Sequence, residues 1–313
     1  MDESEFVDWL KHLFPFSRGL GIGDDASFTA AGGISQLITT DLLVESVHFR
    51  RQDFRPEELA AKSLAVNLSD IAAMGGTPGY YYLCLGIPES FARHELFRFL
   101  RRLKKENAVW GVELAGGDIS RSPLLTIAIT MVGHADHPVT REGACAGDWI
   151  GITGPTGHSA LGLHCLRERI HAPVWINRHK RPIPHIEQGK ILATCATSMI
   201  DISDGLLKDM KRILRASRCG AYLTVDRLPL SRAFKNLCRS QSLDPYRLAL
   251  SGGEDYVLLF TCPEKHRRTI RETGLKTFEI GRIVADGALQ AIHQGVEIHV
   301  DSEGYDHFDP WTG

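Results

Sequence analysis

Residues 62–78, KSLAVNLSDIAAMGGTP, constrain the fold of this chain more than any other stretch. Leu64, Leu68 and Ile71, with Ala61, Ala65 and Ala72, recur at helical spacing and define one apolar side. Pro56, Glu57 and Glu58 make a good first turn for that helix, and Gly75, Gly76 and Pro78 stop it. Ser63, Asn67 and Asp70 stand at i, i+4 and i+7 and so share a second stripe. That stripe carries almost no long charged side chains, which sets it apart from an ordinary solvated face. Two readings account for it: a small-residue face that holds a ligand or metal close to the backbone, or a buried helix whose Asn and Asp cap a neighbouring turn.

At 313 residues the chain is long enough for two domains, each with a sizeable core. Thirty-six Lys and Arg against 38 Asp and Glu leave no basic excess for a phosphate backbone, so no nucleic-acid partner is expected. The first residues, MDESEFVDWLKHLF, are acidic and amphipathic with no long apolar centre, unlike a signal peptide. The most apolar run, 124–132, is too short to span a bilayer, so no membrane partner is expected either. Seven scattered cysteines without a CxxC pair argue for a reducing compartment and against structural zinc. The expectation is a soluble, cytoplasmic protein.

Acids recur at strand ends and beside glycines. The loop 19–26, GLGIGDDA, ends in Asp24 and Asp25, and adjacent side chains on extended backbone point apart, so one of the two is expected to reach a given site. Residues 36–40 read as a strand ending in Thr39, Thr40 and Asp41, which together offer the hard oxygen ligands that Mg²⁺ prefers. His48 follows in SVHF, where a structural role is as good an account as a functional one. Residues 89–109 read as an amphipathic helix with a solvated basic face, and Gly116, Gly117 and Asp118 as a turn between two strands. The composition changes near 136–140, which places the boundary between a domain 1–138 and a domain 139–313.

Beyond it, 154–162 is glycine-rich and enters a helix whose amides could meet an anion, but it has neither the P-loop ending nor the dinucleotide-binding spacing. Asp201, Ser203 and Asp204 alternate with apolar residues before a helix, which Ser203 or Asp204 would cap. Gly252, Gly253 and Glu254 form another glycine-acid entry to a buried strand. If Asp25, Asp41, Asp70, Asp118, Asp201, Asp204 and Glu254 converge, their mutual repulsion calls for compensating cations. Without His or Cys among them, these acids suit Mg²⁺ ions bridging phosphates. Phosphoryl transfer is mainly positioning and charge neutralisation, so such a cradle needs no covalent nucleophile, and Arg141 could contact ATP phosphates.

The segments GIGDDA, TTDLLVESVHF, KSLAVNLSDIAAMGGTP, GGD, TREGACAGDWIGITG, DISDGLLKD and SGGEDYVLLF, in this order over nearly the whole chain, resemble the thiamine-monophosphate kinase family. That family is related to aminoimidazole ribonucleotide synthetase. The resemblance implies an α/β N-terminal domain that dimerises through its sheet and an α+β C-terminal domain, with ATP and several Mg²⁺ ions in a cleft between domains and subunits. It implies transfer of the ATP γ-phosphoryl group to thiamine monophosphate, giving thiamine diphosphate and ADP. Asp25, Thr39, Thr40, Asp41, Asp70, Asp118, Asp201 and Asp204 match the family's Mg²⁺ positions; Gly117, Asp118, Arg141 and Ser203 match those contacting ATP. His48 and Glu254 match substrate positions, and Trp311 matches a C-terminal aromatic that lies against the substrate's rings. Val257 replaces an acid usual after SGGEDY, and His185 an Arg common after the RP-P turn.

Three other readings make different demands. A sister ATP-dependent synthetase of the selenophosphate type wants a reactive Cys and Lys near the N-terminus, where this chain has only Lys11 before Gly19. A catalytically silent nucleotide binder would lack one of the ligand acids, and all are present. A Mg²⁺-dependent phosphatase would release phosphate without ATP.

Overall fold

A computed structural model describes residues 3–31, 33–298 and 304–305. The first half runs α1 (Glu3–Leu13), β1 (Gly19–Leu20), β2 (Ser27–Ala31), β3 (Ile34–Val44), α2 (Pro56–Ala73), β4 (Thr77–Ile87), α3 (Arg93–Trp110), β5 (Glu113–Arg121) and β6 (Thr126–Ala135). The second half continues with β7 (Trp149–Ile152), α4 (His158–Arg167), α5 (Pro173–Lys180), α6 (Ile186–Leu192), β8 (Ser198–Asp201), α7 (Leu206–Ser217) and β9 (Gly220–Thr224). It ends with α8 (Arg232–Ser240), α9 (Pro245–Ser251), β10 (Leu258–Cys262), α10 (Arg267–Glu272), β11 (Phe278–Val284), β12 (Leu289–His293) and β13 (Val296–Ile298). Among the described residues no helix is long and apolar enough to cross a membrane.

The first six strands form one sheet in the order β1-β2-β3-β6-β4-β5, antiparallel except for the β4–β5 pair that α3 connects. The other seven form a second sheet, β13-β12-β9-β11-β7-β10-β8, antiparallel except for β9 and β12. Strand β3 alternates strictly: Leu37, Thr39 and Leu43 turn inward while Ile38, Thr40 and Leu42 turn out. Inward residues of β3, β4 and β6 meet Leu64, Leu68 and Ile71 of α2 in one core, which Trp149, Met199 and Phe260 of the second sheet also join.

Helix α2 lies between the two halves, which is why both of its stripes are covered. Of its eighteen residues only Glu57 and Asp70 escape full burial. Its start follows from sequence: Pro56 needs no hydrogen-bond donor, and the Glu58 carboxylate accepts from the Arg55 backbone N–H at 2.8 Å. On its far side α6 packs against it so closely that a Cβ at Gly189 would lie 2.1 Å from the Ala72 carbonyl oxygen.

Two local expectations are corrected. Gly116, Gly117 and Asp118 are not a turn but the middle of β5. Gly117 there has φ +148°, and a Cβ would lie 1.8 Å from the Leu83 oxygen, so its glycine serves strand approach rather than chain reversal. Nor do Ser203 or Asp204 cap α7: the buried Asp209 reaches back from inside the helix and accepts the N–H groups of Ser203, Asp204 and Gly205, each at 3.1 Å.

Candidate functional site

Three acids from three elements converge where the two halves meet. Asp25 comes from the loop before β2, Asp70 from the last turns of α2, and Asp201 from the end of β8. Each turns one carboxylate oxygen to within 4.8 Å of the other two. Helix α2 also anchors the neighbours of this cluster. Thr39 donates its hydroxyl to Asp70 Oδ2 at 2.5 Å, Ser69 donates to Asp201 Oδ2 at 2.5 Å, and the Asn67 amide oxygen accepts the Asp41 backbone N–H at 3.2 Å. The Ser63, Asn67 and Asp70 stripe thus serves both readings at once: Asn67 holds the end of β3, while Asp70 faces the cluster.

The cluster is short of positive charge. Burial first, then the charges of Asp41, Asp201 and Asp25, pushes Asp70 well above the usual carboxylate range. Asp201 rises by burial and by Asp25, and Asp41 rises to about 6 chiefly by burial. Arg141 is the nearby cation. Burial would lower its guanidinium, but Asp25 and Asp24 outweigh that and hold it above its ordinary value. It donates Nη2 to Asp25 Oδ1 at 2.5 Å, while its backbone N–H goes to Asp24 Oδ2 at 3.1 Å. The two acids of Gly-Asp-Asp therefore divide as adjacent residues must: Asp24 ties down the chain at Arg141, and Asp25 enters the cluster. Among the described residues Asp25 Oδ2 is buried with no hydrogen-bond partner, and so is Arg141 Nε. An orphaned carboxylate oxygen among three acids, with no His or Cys in the set, fits a hard divalent cation such as Mg²⁺.

Not every expected ligand is gathered there. The pleat that turns Thr39 inward turns Thr40 outward, and the Thr40 hydroxyl pairs with Thr130 at 3.0 Å on the opposite face. Asp118 is level with Leu42 through the register Asp118–Cys84–Ala128–Leu42 but stands three strands away on the sheet's edge. Three strand spacings are about 14 Å, too far for a side chain to bridge. Gly117 lies beside it. Asp204 is held by Arg212 at 2.5 Å and Lys208 at 3.4 Å, three residues after the cluster's Asp201 but paired elsewhere. Ser203 stays on the loop that Asp209 organises, and its carbonyl accepts the Glu254 N–H at 2.7 Å.

A second charged group lies towards the other end of α2. Glu254 adopts a left-handed backbone, φ 62°, and its carboxylate meets Lys62 Nζ at 2.8 Å and His179 Nδ1 at 3.2 Å. His48 accepts the Val44 N–H at 3.0 Å; its neighbour Phe49 packs on Phe54, and Phe54 packs edge-on against His179. Trp311 lies outside the described residues. The glycine-rich run 154–162 does enter α4, but the amides of Gly157 and Ser159 are taken by the Asp255 carboxylate at 2.5 and 2.9 Å. The anion that the run was expected to meet belongs to the chain itself.

Sequence reasoning missed Lys62, Ser69, His179 and Asp209. Asp209 had a legible signal: with Leu206, Met210 and Ile213 it falls on the buried face of α7, where an acid needs a partner. Lys62 and His179 had none, because the meeting of Lys62 with Glu254 depends on how the two halves pack and that of His179 on the fold of the second half.

Residues 23–135 match the model of the N-terminal domain of AIR synthase related proteins, and 146–294 that of the C-terminal domain. The chain is 41% identical over 312 residues to the thiamine-monophosphate kinase of Escherichia coli (strain K12), covering 92% of each. It is 34% identical over 295 residues to that of Aquifex aeolicus (strain VF5), again covering 92% of each. Its fold superposes on the structure of AaThiL complexed with AMPPCP and TMP with a TM-score of 0.90 and 32% identity, over 98% of this chain and 97% of that one. Two matched domain models, the order of the motifs and the acid cluster agree: the chain belongs to the AIR synthase related proteins and, among them, to the thiamine-monophosphate kinase family.

Proposed function

We propose that this protein transfers the γ-phosphoryl group of ATP to the phosphate of thiamine monophosphate, releasing thiamine diphosphate and ADP. The observation that carries the reading is the convergence of Asp25, Asp70 and Asp201 around an unpartnered buried carboxylate oxygen. The kinases to which the chain is similar carry this activity in their name, and the related AaThiL was solved with AMPPCP and TMP. Mg²⁺ held by Asp25, Thr39, Asp41, Asp70 and Asp201 would supply charge neutralisation to the phosphates. Arg141, whose buried Nε has no hydrogen-bond partner among the described residues and whose Nη2 bridges to Asp25, pairs with an ATP phosphate in this reading, and Ser203 contacts it. His48 and Glu254 contact the acceptor. No residue acts as a covalent nucleophile, because in-line transfer between two phosphates needs only alignment and charge compensation.

Asp118, Gly117, Thr40 and Asp204 belong to this reading in a different way. Asp118 and Gly117 reach an ATP site only if a second copy supplies them, which fits a homodimer formed through the open face of the first sheet. That face carries exposed Leu42 at 50%, Tyr82 at 43% and Tyr80 at 38%, an apolar surface on an otherwise ordinary protein. Asp204 joins the metal set if phosphate or Mg²⁺ competes it away from Arg212, and Thr40 joins through its main chain. The chain divides into a nucleotide- and metal-binding domain, 1–138, and a domain that completes the cleft, 139–313, and it works in the cytoplasm.

Phosphorus NMR of the protein with ATP, Mg²⁺ and thiamine monophosphate, beside a control without acceptor, tests the reading. Acceptor-dependent growth of thiamine diphosphate and ADP signals is the expected result. ATP left unchanged, or hydrolysed equally without acceptor, would overturn it.

A further inference from the structure

Lys62 is the most completely buried charged side chain of α2: its side chain is 1% exposed, and its Nζ lies 2.8 Å from Glu254 Oε1 and 3.3 Å from the His179 carbonyl oxygen. His179, 3% exposed, approaches the other carboxylate oxygen, Oε2, at 3.2 Å. A carboxylate only accepts, so Nδ1 carries a proton where it faces Glu254. Ser159 Oγ lies 3.0 Å from the same nitrogen, and the Phe54 ring closes the group, with Lys62 Nζ 5.6 Å from its centroid. Burial would raise the Glu254 carboxyl, but Lys62 and His179 together hold it well below the usual carboxylate range.

An ion pair that merely joins two halves of a molecule would be closed on all sides. This one is not. Glu254 keeps 29% of its side chain exposed while both partners are sealed, so they grip the carboxylate from within and leave lone pairs on its open side. Its left-handed φ of 62° is a conformation a glutamate rarely holds without cause, and the Glu254 N–H is fixed to the Ser203 carbonyl of the loop beside the acid cluster. A rigid, oriented acceptor therefore stands next to the phosphate-handling site.

We infer that Lys62 and His179 are positioning residues for the acceptor substrate: they lock the Glu254 carboxylate in one orientation, so that its open face accepts hydrogen bonds from thiamine monophosphate. The inference rests on the reading of Glu254 as an acceptor contact. Lys62 itself touches no substrate. Its effect is felt in acceptor binding and not in ATP binding or the transfer step.

Steady-state kinetics with both substrates varied tests this. Lys62→Met is expected to raise the KM for thiamine monophosphate about tenfold or more, the worth of an oriented hydrogen bond to a charged group, with kcat and the KM for ATP within about twofold. Lys62→Arg, which keeps the charge, should recover most of the loss. Glu254→Gln should raise the same KM, and the double variant Lys62→Met with Glu254→Gln should be no worse than the worse single variant. If the lone Lys62→Met protein does not fold, His179→Gln, which leaves Glu254 in place, gives the same readout. A raised KM in Glu254→Gln beside an unchanged KM in Lys62→Met, or in His179→Gln where the first does not fold, would make the pair a structural tie and overturn the inference. An unchanged KM in Glu254→Gln would instead remove Glu254 from the acceptor site and take the inference with it.

Discussion

The two ends of α2 treat buried acid in opposite ways. Towards its start, Glu58 meets Arg55 and Lys180, and Lys62 meets Glu254; burial raises these carboxyls, and the cations bring both below their ordinary values. Towards its end, Asp70 faces Asp41, Asp201 and Asp25, and burial together with those charges drives it far up. The helix, the burial and the residue chemistry are the same; the supply of cations differs. Along this helix the acids that tie the chain together are compensated by cations, and those at its end are left for a ligand that brings its own charge. On that view, damage to the first end registers as lost stability or misplaced groups, and damage to the second as lost turnover.

The largest test is Asp70→Asn. Removing the central acid of the cluster should cut kcat by roughly 10²–10³-fold, the scale for deleting one preorganised electrostatic partner. The metal-free protein should melt no lower than wild type, since a repulsive charge is gone. Comparable turnover in the two proteins would break the comparison. Asp209→Asn should behave in the contrary way. Asp209 holds three backbone amides and pairs with Arg212 at 2.6 Å, so its loss should cost about 3 kcal/mol of stability, read by denaturant unfolding.

The two ends should also respond to pH with opposite sign. At the cluster and in the loop beside it, folded-state values stand above the unfolded ones, with Asp41 near 6 and Asp24, raised by burial and by Asp25, near 7. Their contribution is complete below about pH 4 and is lost as pH rises through 6 and 7. Glu58 and Glu254 are depressed, so their contribution is present above about pH 4.5 and is lost as pH falls through their folded values. Asp209 and Asp255, raised to about 7 by burial outside the cluster, add a decline over the same range that is indifferent to metal. Thermal unfolding in EDTA from pH 5 to 8 should therefore show a decline that Mg²⁺ reduces; a decline unaffected by Mg²⁺ would detach it from the cluster. The smallest effect separates two neighbours. Thr39→Val should lower kcat about tenfold because its hydroxyl orients Asp70, whereas Thr40→Val should change it by less than about twofold. Equal losses would show that the two threonines act together.

Much of this was legible in the chain. The caps and periodicity of α2, the strand over 36–40 and the hard-oxygen character of the acids follow from residue spacing alone. The gathering of Asp25, Asp70 and Asp201 was legible only as a pattern of motifs, since their separations of 45 and 131 positions are closed by tertiary packing. The turn expected at Gly117 failed because glycine is wanted wherever backbones approach, in a strand as much as in a turn. The cap expected from Ser203 failed because Asp209, four residues beyond Gly205, competes for the same amides with a full charge. Lys62 illustrates the remainder: a lysine in a helix reads as solvated, and only the packing of the second half against α2 seals it.

Cation binding by the cluster is the claim on which the comparison turns. Electron paramagnetic resonance of Mn²⁺, titrated into wild type and Asp70→Asn and then competed with Mg²⁺, measures it without reference to turnover. Wild type should bind Mn²⁺ and release it to Mg²⁺, with affinity at least about tenfold weaker in the variant, as expected when one carboxylate of a hard-cation site is neutralised. Equal binding by the two proteins, or none by wild type, would contradict the account.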